Sequence, residues 1–302
     1  MNNKSSITAL MSAFGRAFHT ENEKDPIFAD TKAKELMTEE EYDSIGKYIL
    51  SGIDFFAPDK KGAFEKEEDA LRYLVHTQIA PTPIARARFC EESLKTAVRT
   101  GTTQYVILGA GMDTFAFREN DFMKKYKVFE VDHPRTQSDK IERVKRAGLE
   151  ISDNLFYVPV DFSKDDLKAA LLKAGFDPAQ KTFFSWLGVS YYLSQEEIET
   201  MLDNIASFSA EGNSLVFDYA DENLFTSEVK RVQNMIAMAG AGGEPMKSCF
   251  DYRNLEKVLE KHSFYIYEWM TAENIQEKYF AGRGEELTAF EHINYVTAVF
   301  KL

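Results

Sequence analysis

The sequence predicts an α/β fold in which a mostly parallel sheet is preceded by a cap of helices. Short apolar runs alternate with helical stretches through the middle of the chain, and the first of these runs ends in glycines. Strands that alternate with helices are typical of a doubly wound parallel sheet. Two further apolar runs lie close together near the C-terminus, where a late pair can add an antiparallel strand. We therefore expect about seven strands, with the last one, 293–301, antiparallel at or beside an edge.

The first hundred residues are predicted to be helical. One amphipathic helix is marked by apolar residues at the spacing of a single helix face, namely Ile7, Leu10, Met11, Phe14 and Phe18. The opposite face carries no stripe of lysine and arginine, which favours packing against a core over lying on a membrane surface. Further helices are predicted over 65–79 and 84–98, with Pro81 and Pro83 interrupting the helical pattern between them.

The predicted strands follow in order along the rest of the chain. The five apolar runs of the parallel part are 104–111, 127–132, 155–161, 182–189 and 214–220. The helical stretches between them are 135–147, 163–174 and 195–208. The final two strands are predicted over 264–270 and 293–301, joined by a shorter helical piece. The glycine-rich stretch 240–245 follows a helix-like segment, so we interpret it as a connection between helices and not as a phosphate-binding loop.

Composition and charge exclude several classes of protein. The chain has 302 residues, 44% of them hydrophobic and 28% charged, which allows a sizeable core and argues against global disorder. Its formal net charge of -13 argues against nucleic acid as a partner, because duplex-binding proteins usually carry a basic face. No run of eighteen apolar residues is present, so we expect no membrane span. The oligomeric state stays open.

Cysteine and histidine usage indicates a cytoplasmic protein without a metal site. Cys90 and Cys249 are the two cysteines, and neither lies in a C-x-x-C pair, which fits a reducing cytosol. The histidines are scattered and form no H-x-H or H-E-x-x-H pattern, so we expect no bound metal. They are His19, His76, His133, His262 and His292.

A glycine turn at the end of the first strand is the strongest local signal. Gly109 and Gly111 allow the backbone to turn tightly and to approach a ligand at a helix N-terminus. A dinucleotide-binding fingerprint requires a third glycine where Thr114 stands, which argues against a nicotinamide-dependent dehydrogenase. Alone, the two glycines are equally typical of a plain turn between strand and helix.

An acidic residue closes the second strand at the spacing expected of a ribose ligand. Asp132 follows the glycine turn by about 20 residues, as in nucleotide-binding α/β folds. A carboxylate has two acceptor oxygens, which match the two hydroxyls of a ribose. Glu130 is a rival, because it projects from the same face of the strand. The alternative interpretation is that both carboxylates simply close the strand in solvent.

A second acidic residue, Asp161, closes the third strand and is followed by Phe162. A carboxylate there can accept a hydrogen bond from an exocyclic amine such as that of adenine, and the next side chain can cover the ring face. The same segment also predicts a helix N-terminus, because Ser163 and Asp166 have the spacing of a capping box, with Asp in place of Glu or Gln. The two roles are compatible.

Several motifs in order resemble one known family. They are ARARF (85–89), VILGAGMDTFAFR (106–118), VFEVDHP (128–134), VPVDF (158–162) and WLGVSYYL (186–193). In this combination the chain resembles the leucine carboxyl methyltransferase family, and within it the bacterial branch of small-molecule O-methyltransferases. The resemblance runs over most of the chain and implies a Rossmann-like class I methyltransferase fold that uses S-adenosylmethionine.

The resemblance also implies roles for individual residues. Arg86 would pair with the methionine carboxylate of the cofactor, which suits a planar guanidinium, and Arg88 is the competing choice. The remaining cofactor residues would be Gly109 and Gly111 beside the cofactor, Asp132 at the ribose, and Asp161 with Phe162 at the adenine end. We expect a single domain with a helical cap over 1–100, a cofactor-binding core over 101–220, a lid over 221–262 and a strand pair over 263–302.

One departure from the family concerns the fourth strand. Many relatives carry a glutamate just before its glycine, whereas Leu187 precedes Gly188 here. The contact made through that carboxylate is therefore absent, which puts the protein-carboxyl-methylating activity of the family's eukaryotic members in doubt. Tyr191 and Tyr192 follow this strand, where they either meet a substrate or belong to the core.

The function implied is methyl transfer to a carboxylate or a hydroxyl of a small molecule. A carboxylate acceptor needs no general base, whereas an alcohol or phenol usually does. No acid–base constellation stands out, and His133 after Asp132 is more often a structural residue than a catalytic one. The alternatives are a cofactor-binding interaction protein without turnover and, less favoured, the nicotinamide-dependent dehydrogenase.

Overall fold

A seven-stranded sheet forms the centre of the molecule. The computed structural model describes residues 7–301. Its strands are β1 (Gln104–Leu108), β2 (Lys127–Asp132), β3 (Leu155–Pro159), β4 (Thr182–Trp186), β5 (Ser214–Ala220), β6 (Phe264–Met270) and β7 (Ile293–Phe300). Every residue of β1, β4 and β5 is buried, because helices cover both faces of the sheet. This explains why these strands are nearly continuous apolar runs in the sequence.

The strand order confirms the predicted topology. It is β3-β2-β1-β4-β5-β7-β6, with β1 to β5 mutually parallel. The last strand, β7, is antiparallel to both of its neighbours and lies beside the edge strand β6. The register pairs Leu108 with Val131, so the turn that follows β1 lies next to Asp132 at the end of β2.

The segment before β1 forms the predicted helical cap. Its helices are α1 (Ile7–Asn22), α2 (Glu39–Ser51), α3 (Ile53–Phe56), α4 (Glu67–Leu74) and α5 (Pro81–Arg99). The helix predicted from residue 84 begins at Pro81 instead, because proline is tolerated in a first helical turn, where its missing N–H would have no partner. No helix within residues 7–301 combines the length and the apolar character needed to cross a membrane.

The helices that alternate with the strands also follow the predicted order. They are α6 (Phe115–Arg118), α7 (Asn120–Met123), α8 (Pro134–Arg146), α9 (Leu167–Lys173) and α10 (Gln195–Ala206). The helix predicted over 163–174 begins only at Leu167, and the capping box predicted at Ser163 is wrong. Asp166 is the N-cap, since its side chain accepts from the Ala169 N–H. Ser163 instead donates to the carboxylate of Asp161.

The segment predicted as a lid divides between two places. Helix α11 (Lys230–Ala241) and the 240–245 connection face the carboxyl ends of the strands, where Met235, Met238 and Glu244 line a cavity. Helix α12 (Tyr252–Lys261) packs against β6 instead and covers the sheet. The glycine-rich stretch therefore joins two helices, as predicted. A short helix, α13 (Ala272–Ile275), follows β6.

A buried ion pair supports the second strand. Lys140 of α8 donates to Glu130 of β2 over 2.5 Å, and both side chains are only 1% exposed. Burial raises the pKa of Glu130, and Lys140 opposes that effect. Glu130 therefore points into the protein and not into the strand-end cavity, so it is excluded as the rival ribose ligand. The interpretation that both β2 carboxylates lie in solvent is also wrong.

Removal of the lysine from this pair should destabilise the fold. Lys140→Met leaves Glu130 buried without its counter-charge, and we expect the free energy of unfolding to fall by about 3–5 kcal/mol. Because a protonated Glu130 tolerates burial, the loss of unfolding free energy relative to the wild type should be smaller at about pH 5 than at about pH 8. Urea unfolding at the two pH values measures both effects.

The matched control is Lys145→Met on the same helix, where the lysine is exposed. It should change stability by no more than about 0.5 kcal/mol. Equal losses in the two variants, or a deficit in Lys140→Met that grows as pH falls, would contradict the role of this pair.

Candidate active site

A cavity of about 2040 Å³ lies at the carboxyl ends of the parallel strands, between the sheet and the helical cap. Ligands bind at this edge in open α/β sheets. All the site residues predicted from the sequence line it: Arg86, Gly109, Gly111, Asp132, Asp161, Phe162, Tyr191 and Tyr192. The competing residue Arg88 points elsewhere, since its side chain is 51% exposed and pairs with Glu92.

The glycine turn after β1 passes close to its neighbours. Gly109 has a φ of +71°, and a Cβ there would lie 2.8 Å from Cγ2 of Val189. Gly111 has a φ of +48°, and a Cβ there would lie 3.2 Å from the Cβ of Ala9 in α1. Both positions combine a left-handed backbone with crowding, so glycine is required at each. The turn is thereby held between the cap and the segment that follows β4.

Asp132 organises this turn. One oxygen of its carboxylate accepts from the Gly111 N–H at 2.5 Å, and the other accepts from the His133 N–H at 2.6 Å. Burial raises the pKa of Asp132, while these two N–H bonds act against the rise. Each carboxylate oxygen has more than one acceptor site, so capacity remains on the side that faces the cavity.

Asp161 holds the turn after β3. Its carboxylate accepts from the N–H and the hydroxyl of Ser163 and from Lys164 Nζ at 2.8 Å. These contacts, with the Lys164 hydrogen bond the strongest cause, hold the pKa of Asp161 well below its usual range. Nε2 of His133 lies 3.8 Å from the same carboxylate, and the half-buried Phe162 follows it. The structure therefore brings these residues to one end of the cavity.

Arg86 lies at the other end, where a buried carboxylate holds it. Its Nη1 donates to the Tyr191 hydroxyl at 3.0 Å and to Asp218 Oδ2 at 3.2 Å. Asp218 lies within β5, is fully buried, and also accepts from the Gly188 N–H at 2.6 Å. No motif in the sequence singled out Asp218. A lone acid inside an otherwise apolar strand was the available signal, because such a residue needs a buried partner.

Gly188 is required by the guanidinium beside it. It has a φ of +72°, and a Cβ there would lie 2.5 Å from Nη1 of Arg86. Leu187, which stands where many relatives have glutamate, lines the cavity next to it. Arg86 therefore packs directly on the backbone after β4.

The two tyrosines after β4 have different environments. Tyr191 is buried, and its hydroxyl joins Arg86 and Asp218, so it supports the arginine. Tyr192 is half-buried and lines the cavity, with its ring centroid 4.8 Å from that of Tyr191. Burial raises the pKa of Tyr192 to about 12; Arg86 opposes this rise and Glu244 adds to it.

A second buried network, which no sequence motif indicated, connects the cap to the glycine turn. Asp30, which is 2% exposed, accepts from Arg16 Nε at 2.8 Å and from Thr114 Oγ1 at 2.7 Å. Arg118 Nε donates to the same threonine at 2.9 Å, and Arg16 Nη2 donates to the Met112 carbonyl at 2.7 Å. The residue that replaces the third glycine of a dinucleotide fingerprint is thus a buried anchor. Asp30 lies in an irregular segment without periodicity, so no pattern pointed to it.

Among residues 7–301, no group of three or more His, Cys, Asp or Glu side chains could hold a metal ion.

The sheet order, the antiparallel β7 and the strand-end cavity with its glycine turn define a class I methyltransferase fold, as predicted. The chain matches the leucine carboxyl methyltransferase family over residues 9–206, and it belongs to that family. Membership of this family confirms the prediction of an S-adenosylmethionine-dependent methyltransferase.

Curated relatives agree with this assignment, and solved structures agree with the fold. YktD of Bacillus subtilis, named as a candidate S-adenosyl-L-methionine-dependent methyltransferase, is 44% identical over 302 residues, with 99% of each chain covered. A similarly named protein of Mycolicibacterium paratuberculosis is 31% identical, over 78% of this chain and 71% of its own. A candidate methyltransferase from Thermobifida fusca superposes with a TM-score of 0.58 at 13% identity, over 99% of this chain and 96% of that one. A DUF574 family protein from Streptomyces avermitilis gives a TM-score of 0.57 at 15% identity, over 85% and 96%.

Gly188→Ala should destabilise the protein more than a comparable change elsewhere. The matched control is Gly148, which has a φ of +66° and open space where a Cβ would lie, with no atom within 4 Å. Gly148→Ala should cost about 1–2 kcal/mol from the left-handed backbone alone. Gly188→Ala should cost about 1–3 kcal/mol more, because the new Cβ displaces Arg86. Urea unfolding of both variants measures the difference, and equal losses would show that the guanidinium does not need this space.

Proposed function

We propose that the protein is an S-adenosylmethionine-dependent O-methyltransferase that acts on a small molecule. The observation that carries this proposal is the cavity that joins the glycine turn and Asp132 at one end to Arg86 at the other. An acidic group and a cationic group at opposite ends match a cofactor with a ribose and an amino-acid carboxylate. The helical cap lies above them and lines the other side of the cavity.

The residues present fit this cofactor. Arg86 has five N–H donors, of which Nη1 serves Tyr191 and Asp218, while Nη2 contacts Ser12 at 3.4 Å. Donors therefore remain for the methionine carboxylate. Gly109 and Gly111 would let the backbone pass beside the cofactor, and Asp132 would accept from the ribose. Asp161 and Phe162 would bound the adenine, with the phenylalanine ring covering its face.

The task of the chain is orientation. The cofactor, when bound, supplies a methyl group on a sulfonium with a neutral leaving group. The protein has to align the acceptor with that methyl group and exclude water. Alignment of this kind contributes up to about 7–11 kcal/mol of barrier reduction. The α11 segment and the 240–245 connection, which line the cavity opposite the strand ends, form the part of the lid that would exclude water.

A small-molecule acceptor is supported by the size of the cavity and by Leu187. Pockets for single small ligands usually have volumes of about 300–1,000 Å³. The cavity, at about 2040 Å³, has room for a cofactor and a second molecule. Leu187 stands where many relatives carry a glutamate before the fourth-strand glycine, which argues against the protein-carboxyl-methylating activity of the family's eukaryotic members.

The alternatives are less well supported. A binding protein without turnover would not need a chamber for a second molecule beside the cofactor residues. A nicotinamide-dependent dehydrogenase would need a third glycine in the turn after β1. Thr114 stands at that position instead, and its hydroxyl donates to the buried Asp30, so the turn uses a side chain that glycine lacks.

Calorimetric titration should distinguish the cofactors. S-adenosylmethionine and S-adenosylhomocysteine should bind, and NAD and NADP should bind far more weakly, because the turn after β1 lacks the pyrophosphate fingerprint. Tight binding of NAD together with no response to S-adenosylhomocysteine would overturn the proposal.

Asp132→Ala should weaken S-adenosylhomocysteine binding by about tenfold to a few hundred-fold. The substitution removes acceptors for the ribose, and hydrogen bonds to a charged group are worth roughly 1.5–3 kcal/mol, with tenfold in affinity equal to about 1.4 kcal/mol. It also releases the Gly111 N–H that shapes the turn. The dissociation constant is measured by calorimetry, with circular dichroism to verify folding.

Asp153→Ala is the control, because Asp153 is an exposed aspartate in the turn before β3, outside the cavity. It should bind S-adenosylhomocysteine as the wild type does. Glu130→Ala is unsuitable as a control, since it breaks the buried pair with Lys140. Wild-type affinity in a folded Asp132→Ala variant would place the ribose elsewhere.

A further inference from the structure

We propose that the methyl acceptor is an uncharged, lipophilic alcohol or phenol and not a carboxylate. This inference rests on the proposed function and deepens it, because methyl transfer to either oxygen group is compatible with the fold. Two independent features of the cavity carry it. One is the charge of the lining, and the other is an apolar rim around the mouth.

The lining is acidic. Among residues 7–301, eight aspartates and glutamates line the cavity: Asp30, Glu91, Asp113, Asp132, Asp161, Glu196, Glu197 and Glu244. Four arginines and lysines line it, namely Arg16, Arg86, Arg118 and Lys247. The cofactor itself contributes a sulfonium and an ammonium, which suit an acidic lining, and one carboxylate. A second carboxylate, on the acceptor, would enter against the sign of this field.

Each of these four cations already has an acidic partner. Arg16 pairs with Asp30 at 2.8 Å, and Arg118 pairs with Glu91 at 2.5 Å. The other two pairs are Arg86 with Asp218 at 3.2 Å and Lys247 with Glu197 at 3.5 Å. The remaining capacity of Arg86 is assigned to the cofactor. A carboxylate acceptor would therefore be desolvated without a cation of its own, which is strongly unfavourable.

The mouth of the cavity carries large apolar side chains in contact with solvent. Ile7 of α1 is 56% exposed, Tyr48 of α2 is 66% exposed and Phe55 of α3 is 43% exposed, and all three line the cavity. Exposed apolar side chains that cluster around one opening mark a binding surface more often than single exposed residues do. They come from three different cap helices, so the rim is a property of the assembled cap.

Apolar side chains continue from this rim into the cavity. Met11 comes from α1, and Met235 and Met238 are three residues apart on α11, which places them on one helix face. Methionine side chains are flexible and polarizable, so they adapt to the shape of an apolar ligand. Together with the rim they form an apolar wall opposite the strand ends. This wall fits an alkyl chain or an aromatic ring.

An acidic lining also provides for the proton of a hydroxyl acceptor. In the transfer, the oxygen–carbon bond forms, the sulfur–carbon bond breaks, and its electron pair stays on the neutral thioether sulfur. The hydroxyl proton passes to a carboxylate of the lining and then to water. Glu244 lines the cavity and accepts from the Thr8 hydroxyl of α1 at 2.6 Å, so it is one carboxylate that can take this proton.

Two matched probes test the inference by binding. 4-Hexylphenol is uncharged at neutral pH and 4-hexylbenzoate is charged, while their alkyl chains are identical. In calorimetric titrations of protein saturated with S-adenosylhomocysteine, hexylphenol should bind at least about tenfold more tightly than hexylbenzoate. Phenol without the chain should bind far more weakly than hexylphenol. Equal or tighter binding of hexylbenzoate, or no benefit from the chain, would overturn the inference.

Rim variants test the apolar wall separately. Tyr48→Ser and Phe55→Ser should each weaken hexylphenol binding by about tenfold and leave S-adenosylhomocysteine binding unchanged. Tyr267→Ser is the control, because Tyr267 is 70% exposed on β6 and lies outside the cavity. It should change neither affinity. An equal loss of hexylphenol binding in the control, or none in the rim variants, would contradict the role of the rim.

The cofactor titration separates the proposed function from the proposed class of acceptor. Failure of the wild type to bind S-adenosylhomocysteine would overturn the proposed function itself. Normal S-adenosylhomocysteine binding together with a preference for hexylbenzoate would overturn only the class of acceptor.

Discussion

The buried carboxylate of Asp30 is the interaction on which the site depends. It links Arg16 of the first cap helix to Thr114 and Arg118, which follow the glycine turn of the sheet. Burial alone would raise the pKa of Asp30, but the two arginines outweigh it and hold the pKa below its ordinary value. The carboxylate is therefore charged and paired, and its loss would leave two cations facing each other in the interior. Through this contact the cap is held against the strand ends, above the cavity.

Asp218 has the corresponding role at the other end of the cavity. It fixes Arg86, the Tyr191 hydroxyl and the Gly188 N–H in one cluster beneath the cap. The family glutamate that Leu187 replaces would have stood next to this cluster. The acidic group that remains lies behind the arginine, inside the sheet, and not beside it in the cavity. Both ends of the chamber are thus built on buried aspartates that neutralise arginines, which explains why the lining offers little attraction to a further anion.

The strands and their order could be predicted because β-branched and aromatic runs alternate with amphipathic stretches, a pattern that depends on local sequence alone. The strand-end residues could be predicted once the strands were known, because the carboxyl ends of neighbouring parallel strands meet at one edge of the sheet. The partners of the buried charged residues could not be predicted. Glu130 and Lys140 are ten residues apart, Arg16 and Asp30 fourteen, and Arg86 and Asp218 132. Such pairs form only when the elements have packed, and nothing in the local sequence specifies the partner. Ser163 shows the same limit at short range, because its side chain donates to Asp161 and Asp166 is the residue that caps the helix.

The position of the cap at the start of the chain affects how the protein is made. Helices α1 to α5 leave the ribosome before the first strand, since synthesis runs from the N-terminus. Their apolar faces, with Phe14 and Phe89 almost fully buried in the folded protein, have no sheet to cover them until residues beyond 104 have emerged. The interior strand β7 follows all the other strands in sequence, so the sheet is completed only after Phe300 has been synthesised. The apolar faces of the nascent cap therefore stay uncovered until the strands that they pack against have been synthesised.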